Sequence, residues 1–225
     1  MYNSFINCYP GFFEEKMPDR ISEINVDERF IEMLNNVLDG VRTLREAVAN
    51  GISGNAFAKI NAIKDAVERA NFELGSYLMK IRDAVEAYDL YMMVGDNIER
   101  IAQNLSAAAY RTSMLLSKNY QMPEVLKVLA LSMLDKLISQ TMSLIEGFRL
   151  LSVSPNKTAE VLRNVKSLEE DADDLYRNTE LKLFESSTDL LTAMLIKDVI
   201  DRLEDSADAM LRIANSLYYI SYLRS

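Results

Sequence analysis

Residues 168–216, LEEDADDLYRNTELKLFESSTDLLTAMLIKDVIDRLEDSADAMLRIANS, carry a Glu-x-x-x-Asp spacing twice, on two stretches that read as neighbouring helices. Glu169 and Asp173 follow Leu168, and Glu204 and Asp208 follow Leu203. Residues at i and i+4 stack on one helix face. Two like charges at that spacing oppose helix formation by roughly 0.2 to 0.5 kcal/mol per pair. A bound cation would offset that cost.

The apolar pattern places the acids. Val165, Leu168, Ala172, Leu175 and Thr179 alternate spacings of three and four, and so do Ile200, Leu203, Ala207, Met210, Ala214 and Leu217. In both runs the Glu takes the e position of a heptad and the Asp the following b position. Antiparallel packing brings e flanks face to face, so Glu169 and Glu204 are expected to converge at the edge of the core. The spacing alone does not set their relative height.

Outward from this stretch, the chain has 225 residues, 49% of them hydrophobic, enough to bury a substantial core. Its seven Gly and four Pro leave long runs rich in Leu, Ala, Glu, Lys and Met uninterrupted, which selects an all-α fold. Histidine is absent, removing both the usual neutral-pH general base and the imidazole ligand of Glu-x-x-His di-iron bundles. The single Cys8 forms no internal disulfide and no thiolate metal site, so the cytoplasm is the expected compartment. A net charge of −9 without a Lys/Arg cluster argues against nucleic acid or an anionic membrane surface as partner. Charged residues interrupt each helical run, so no membrane span is expected, and residues 1–20 lack the basic start and apolar run of an export signal.

Six long helices follow from the periodicity. Residues 1–18 form an aromatic arm, with Tyr2, Phe5, Ile6, Tyr9, Phe12 and Phe13 around Pro10-Gly11, expected to cover a bundle end. The first helix starts between Asp19 and Asp27 and stops at Asn50-Gly51. The second covers about 55–81 and the third about 83–118, with no Gly or Pro to mark their join. A turn over 118–123 separates two halves, 19–118 and 123–225, with Pro123 suited to the first turn of the fourth helix. Ser154-Pro155-Asn156 and Ser186-Ser187 divide the second half into helices of about 123–152, 156–186 and 188 onward.

The halves repeat. RIAQNL at 100–105 matches RIANSL at 212–217, which aligns Asp96 with Asp208. Heptad phase instead aligns Gly95 with Glu204 and Glu99 with Asp208, and burial favours phase over letters. The second helix offers Asn71 and Gly75, or in another register Glu68 and Phe72, so the first half lacks a complete acidic set.

LEEDADDLYRNTELKLFE at 168–185 followed by IKDVIDRLEDSADAMLRIAN at 196–215 resembles the second half of the PhoU-like proteins, in particular the branch described as phosphate transport regulators. The resemblance is specific over 160–217; before that only the helix count carries it. It implies a PhoU-like fold of two tandem three-helix bundles. It also implies metal binding, often as multinuclear iron or other cation clusters, at Glu169, Asp173, Glu204 and Asp208, with Lys197, Asp198 and Asp201 just before the second copy. The implied partners are a phosphate transporter or its sensor protein. Departures in the first half leave at most one good site.

The acids also have an ordinary explanation. Lys166, Arg177 and Arg212 stand three or four residues from Glu169, Asp173 and Asp208, where surface ion pairs are worth about 0.3 to 0.5 kcal/mol. Glu204 has no such neighbour, only Asp201 and Asp208. If the carboxylates do hold a cation, all-oxygen ligation suits Mg²⁺, Mn²⁺, Ca²⁺ or iron. The terminal run IANSLYYISYLRS, apolar on nearly every side, points to core or homo-oligomer packing, with transporter docking as the alternative. Two function classes remain: a regulatory or accessory protein of phosphate transport, and a metal-dependent phosphohydrolase or structural adaptor. No Gly-rich loop or Arg cluster is present to bind a leaving phosphate, which favours the first, a protein that is not an enzyme.

Overall fold

The computed structural model describes residues 16–51, 55–117, 122–151 and 153–224, with side chains from residue 25 onward except at position 155. The arm over 1–15 and the linker over 118–121 lie outside the described residues. Six long helices account for almost all of the rest: α1 Lys16–Asn50, α2 Asn55–Lys80, α3 Tyr88–Ser117, α4 Glu124–Leu151, α5 Pro155–Glu185 and α6 Leu190–Leu223.

The boundaries have local causes. α1 begins earlier than the sequence suggests, because Pro18 falls in its first turn, where a backbone N–H would have no intrahelical partner anyway. Gly51, at φ 75°, takes the left-handed turn that ends it. Pro123 precedes α4 rather than opening it, and its carbonyl accepts from the amides of Leu126 and Lys127. Asp189 caps α6, its carboxylate accepting from the Thr192 amide at 3.1 Å and the Thr192 hydroxyl at 2.5 Å. The unmarked join between α2 and α3 is a short 3-10 turn, Arg82–Ala84, followed by extended Val85. Val85 and Ala87 are buried there, so tertiary packing breaks the helix and α3 starts at Tyr88, five residues later than expected.

Each half is a three-helix unit, and the units are mated lengthwise: α1 packs on α4, and α3 on α6. Both pairings run antiparallel. Phe30 stacks on Phe148 while Arg45 pairs with Asp135 at 2.6 Å, and on the other seam Arg111 reaches Asp198 at 2.5 Å while Arg100 reaches Asp205 at 4.0 Å. One hydrophobic cluster, from Val26 to Ile220, therefore runs through both halves. At one pole the end of α6 meets α1 and α3: Arg224 holds Asp27 in a two-point pair (2.7 and 3.2 Å) and donates to the Tyr91 hydroxyl. Asp27 is 4% exposed, so this is an interior charge pair that ties α6 to α1 and α3.

Among the described residues α4 alone is long and apolar enough to cross a bilayer, a property the sequence reading assigned to no segment. Its apolar residues Leu126, Ala130, Met133, Leu134, Leu137, Leu144 and Phe148 are buried against α1, α5 and α6. Length and composition thus reflect a core position and do not make it a membrane span. At the end of α6, Leu217 and Ile220 enter the core while Tyr218, Tyr219, Tyr222 and Leu223 face outward, so that run is buried on one side only.

Candidate metal centre

α5 and α6 form an antiparallel hairpin joined by Ser186–Asp189, and polar contacts fix its register. Near the turn, Lys197 pairs with Glu180 at 3.1 Å. One turn further, the Tyr176 hydroxyl donates to Asp201 at 3.1 Å and Lys197 donates to both Tyr176 and Asp201. Continuing the ladder, Glu169 and Asp173 of α5 meet Asp208 of α6: one carboxylate oxygen from each lies within 4.8 Å of the others. All three are half-buried, since the flanking Ala172, Leu203 and Ala207 point inward and leave the acids at the rim of the core.

Glu169 therefore lies opposite Asp208, not Glu204. Glu204 sits beside the trio and senses it. Its pKa is pushed from the ordinary 4.5 to about 7, first by burial and then by Asp208, Asp205, Asp173 and Asp201. Glu169 is also raised, again chiefly by burial, with Asp173 and Asp208 adding to it. Asp201 is drawn away, into the Lys197–Tyr176 contact. Of the five residues singled out by spacing, four share one environment and the fifth is paired with a lysine.

The expected surface pairs form in part. Arg177 reaches Asp173 at 2.7 Å and Arg212 reaches Asp208 at 3.3 Å, both from the exposed side. Lys166 pairs with Glu170 at 3.7 Å, which leaves Glu169 to the cluster. Among the described residues Glu204 makes no ion pair or side-chain hydrogen bond, as its sequence neighbours imply. Half-buried carboxylates that repel one another, two of which, Glu169 and Glu204, hold protons above the usual carboxylate range, form an all-oxygen donor set. That set fits a hard divalent cation or iron, whose charge would displace the proton.

The equivalent seam of the first half is neutralised. The Asn71 amide donates to Glu99 at 2.8 Å, and Gly95 exists where a methyl would overlap the Asn71 amide oxygen. Gly75 sits against Met92, and Asp96 is exposed. Packing thus follows heptad phase, placing Glu99 on the inter-helix seam and Asp96 outside it. At the four matching positions one acid remains where the second half has four, and the Gln103 amide bridges it to Glu68 of α2, donating to Glu99 at 3.1 Å and to Glu68 at 3.2 Å.

The sequence reading missed two elements. The buried Asp27–Arg224 pair joins residues 197 apart, beyond any periodic signal. Gln140 of α4 is completely buried and donates to the Val165 carbonyl at 3.3 Å and the Ala207 carbonyl at 3.5 Å. A Gln inside an otherwise apolar stripe was a visible signal for it.

The fold and site define an all-α protein of two mated three-helix repeats with a carboxylate seam on its last hairpin. That architecture is the PhoU fold. The chain superposes on the phosphate transport system regulatory protein PhoU from Streptococcus pneumoniae with a TM-score of 0.76, at 15% identity over 90% of this chain and 96% of that one. A PhoU-like phosphate regulatory protein from Shewanella oneidensis MR-1 gives 0.63 at 19% identity, over 87% and 98%. A second PhoU-like protein of that organism gives 0.63 at 17%, over 88% and 99%. No protein-family model matches the chain, and no curated protein matches it by sequence. Identities this low establish the fold and leave function to the residues.

Proposed function

We propose that the chain is a regulatory or accessory protein of inorganic phosphate transport, working in the cytoplasm by contact with a phosphate transporter or its sensor protein rather than by catalysis. The supporting observation is the meeting of Glu169, Asp173 and Asp208 on the α5–α6 seam of a PhoU-like fold, with Glu204 beside them. In this reading the four acids hold a divalent cation or iron, and Asp201 is left to Lys197. The exposed Tyr218, Tyr219 and Tyr222 of α6 supply apolar surface for a homo-oligomer.

Two measurements test this. Deletion of the gene should change phosphate uptake; unchanged uptake at high and low external phosphate would sink the regulatory reading. Elemental analysis of purified wild type beside Glu204→Gln/Asp208→Asn should show metal lost in the variant, and equal content in both would remove the site.

A further inference from the structure

We infer that Gln140 is the positioning residue of the acid group: its amide clamps α5 to α6 at one separation and rotation, so that Glu169 and Asp208 face each other. This rests on the cation reading above only for what the clamp serves.

The geometry is one donor group between two helices. The Gln140 Nε2 lies 3.3 Å from the carbonyl of Val165 and 3.5 Å from that of Ala207. Val165 is the residue whose carbonyl accepts the backbone N–H of Glu169, closing the helical turn that ends there, and Ala207 immediately precedes Asp208. A carboxamide has two N–H groups, one for each helix. The side chain is 0% exposed, so these contacts form without competition from water.

Two further observations indicate that the amide is present for geometry. Its Oε1 has no partner although it is buried, so a purely apolar residue of the same length would suit the interior better. Next to the acids the fully buried positions of α5 are small, Val165, Ala172 and Thr179, and the larger Leu162 and Leu183 pack nearer its two ends, so side-chain shape constrains rotation least where the acids sit. The turns at 153–154 and 186–189 hold the ends of α5, and the Tyr176, Lys197 and Asp201 contacts set its height beyond Asp173, while Gln140 is the polar contact to both helices on the Glu169 side. A directional hydrogen bond to each helix supplies what the small side chains lack.

The test compares wild type with Gln140→Met, which keeps length and removes both donors. In a Cys8→Ser background, nitroxide labels at the exposed positions Glu170 of α5 and Asn215 of α6 report the helix-to-helix distance. Gln140→Met should keep or raise stability to urea, yet broaden or shift that distance distribution. Its affinity for Mn²⁺, measured by calorimetry, should fall about 10- to 100-fold, the usual loss when a group orienting the ligands is removed. An unchanged distance distribution overturns the inference, whatever the metal data show. Wild type that takes up no Mn²⁺ counts against the cation reading instead, and the distance measurement still decides the role of Gln140.

Discussion

Neutralising Glu204 should stabilise this protein at alkaline pH and do nothing at acid pH. Burial and four neighbouring aspartates raise its pKa from 4.5 to about 7 in the folded chain, so folding disfavours the ionised form. The stability it supports is fully present below about pH 4.5 and is lost as pH rises through about 7. At 1.36 kcal/mol per pH unit the rise sets a ceiling of about 3 kcal/mol. The side chain is only partly buried, and solvent screening reduces this to about 1 to 2 kcal/mol.

Glu204→Gln keeps shape and removes the charge, so the variant should exceed wild type by about 1 to 2 kcal/mol at pH 8 and match it near pH 4. Urea unfolding followed by far-ultraviolet circular dichroism at the two pH values measures the difference; the chain has no Trp, and its eleven Tyr provide a tertiary probe. Subtracting the two proteins cancels the titrating groups that do not interact with position 204. Saturating Mn²⁺ or Ca²⁺ at pH 8 should narrow the gap by stabilising wild type more than the variant, which keeps Glu169, Asp173 and Asp208. A Glu204→Gln protein no more stable than wild type at pH 8 would refute the placement of Glu204 among the acids.

Arg224→Met should destabilise by about 3 kcal/mol at neutral pH, because it leaves the 4%-exposed Asp27 without its guanidinium; a loss under about 1 kcal/mol in urea unfolding would contradict an interior pair. Gly95→Ala should be close to neutral by itself, since the gain in helix propensity of about 1 kcal/mol is spent displacing Asn71 from Glu99. In an Asn71→Ala background the clash disappears, and Gly95→Ala should then stabilise by about 1 kcal/mol, so the double-mutant cycle reports a coupling of that size. Additive effects would show that Asn71 does not occupy the space above Gly95.

Much of this architecture was legible from the residues alone, for stated reasons. Apolar residues at alternating spacings of three and four define α5 and α6 closely, and Asp189, Ser154 and Pro155 mark ends whose chemistry is local. The join of α2 and α3 was not legible, because Val85 and Ala87 break the helix through burial, which no neighbour in sequence announces. Heptad phase put the four acids on one flank, and the α5–α6 hairpin brings them together there. It did not fix which faces which: the helical height that sets Glu169 against Asp208 depends on the length of the turn and on the Tyr176, Lys197 and Glu180 contacts. Asp201 shows the same limit, since its spacing matched the acids while a lysine one turn away, Lys197, took it.

The two halves make an internal comparison that bears on whether the acids serve the fold. α2 and α3 pack as α5 and α6 do, yet they hold Asn71, Gly75, Gly95 and Glu99 at the matching positions, where the Asn71 and Gln103 amides donate to Glu99 and Gln103 also to the neighbouring Glu68. A three-helix unit of this architecture therefore closes without a carboxylate cluster. In the second half the acids work against folding: burial first, and then the neighbouring carboxylates, raise the pKa of Glu169 and Glu204, and Arg177 and Arg212 pair with Asp173 and Asp208 only from the exposed side. Selection for stability alone would favour the α2–α3 solution in both places. A seam that keeps four acids at a cost the first half avoids supports the proposed cation site, and their all-oxygen donor set makes a hard cation the first ligand to test.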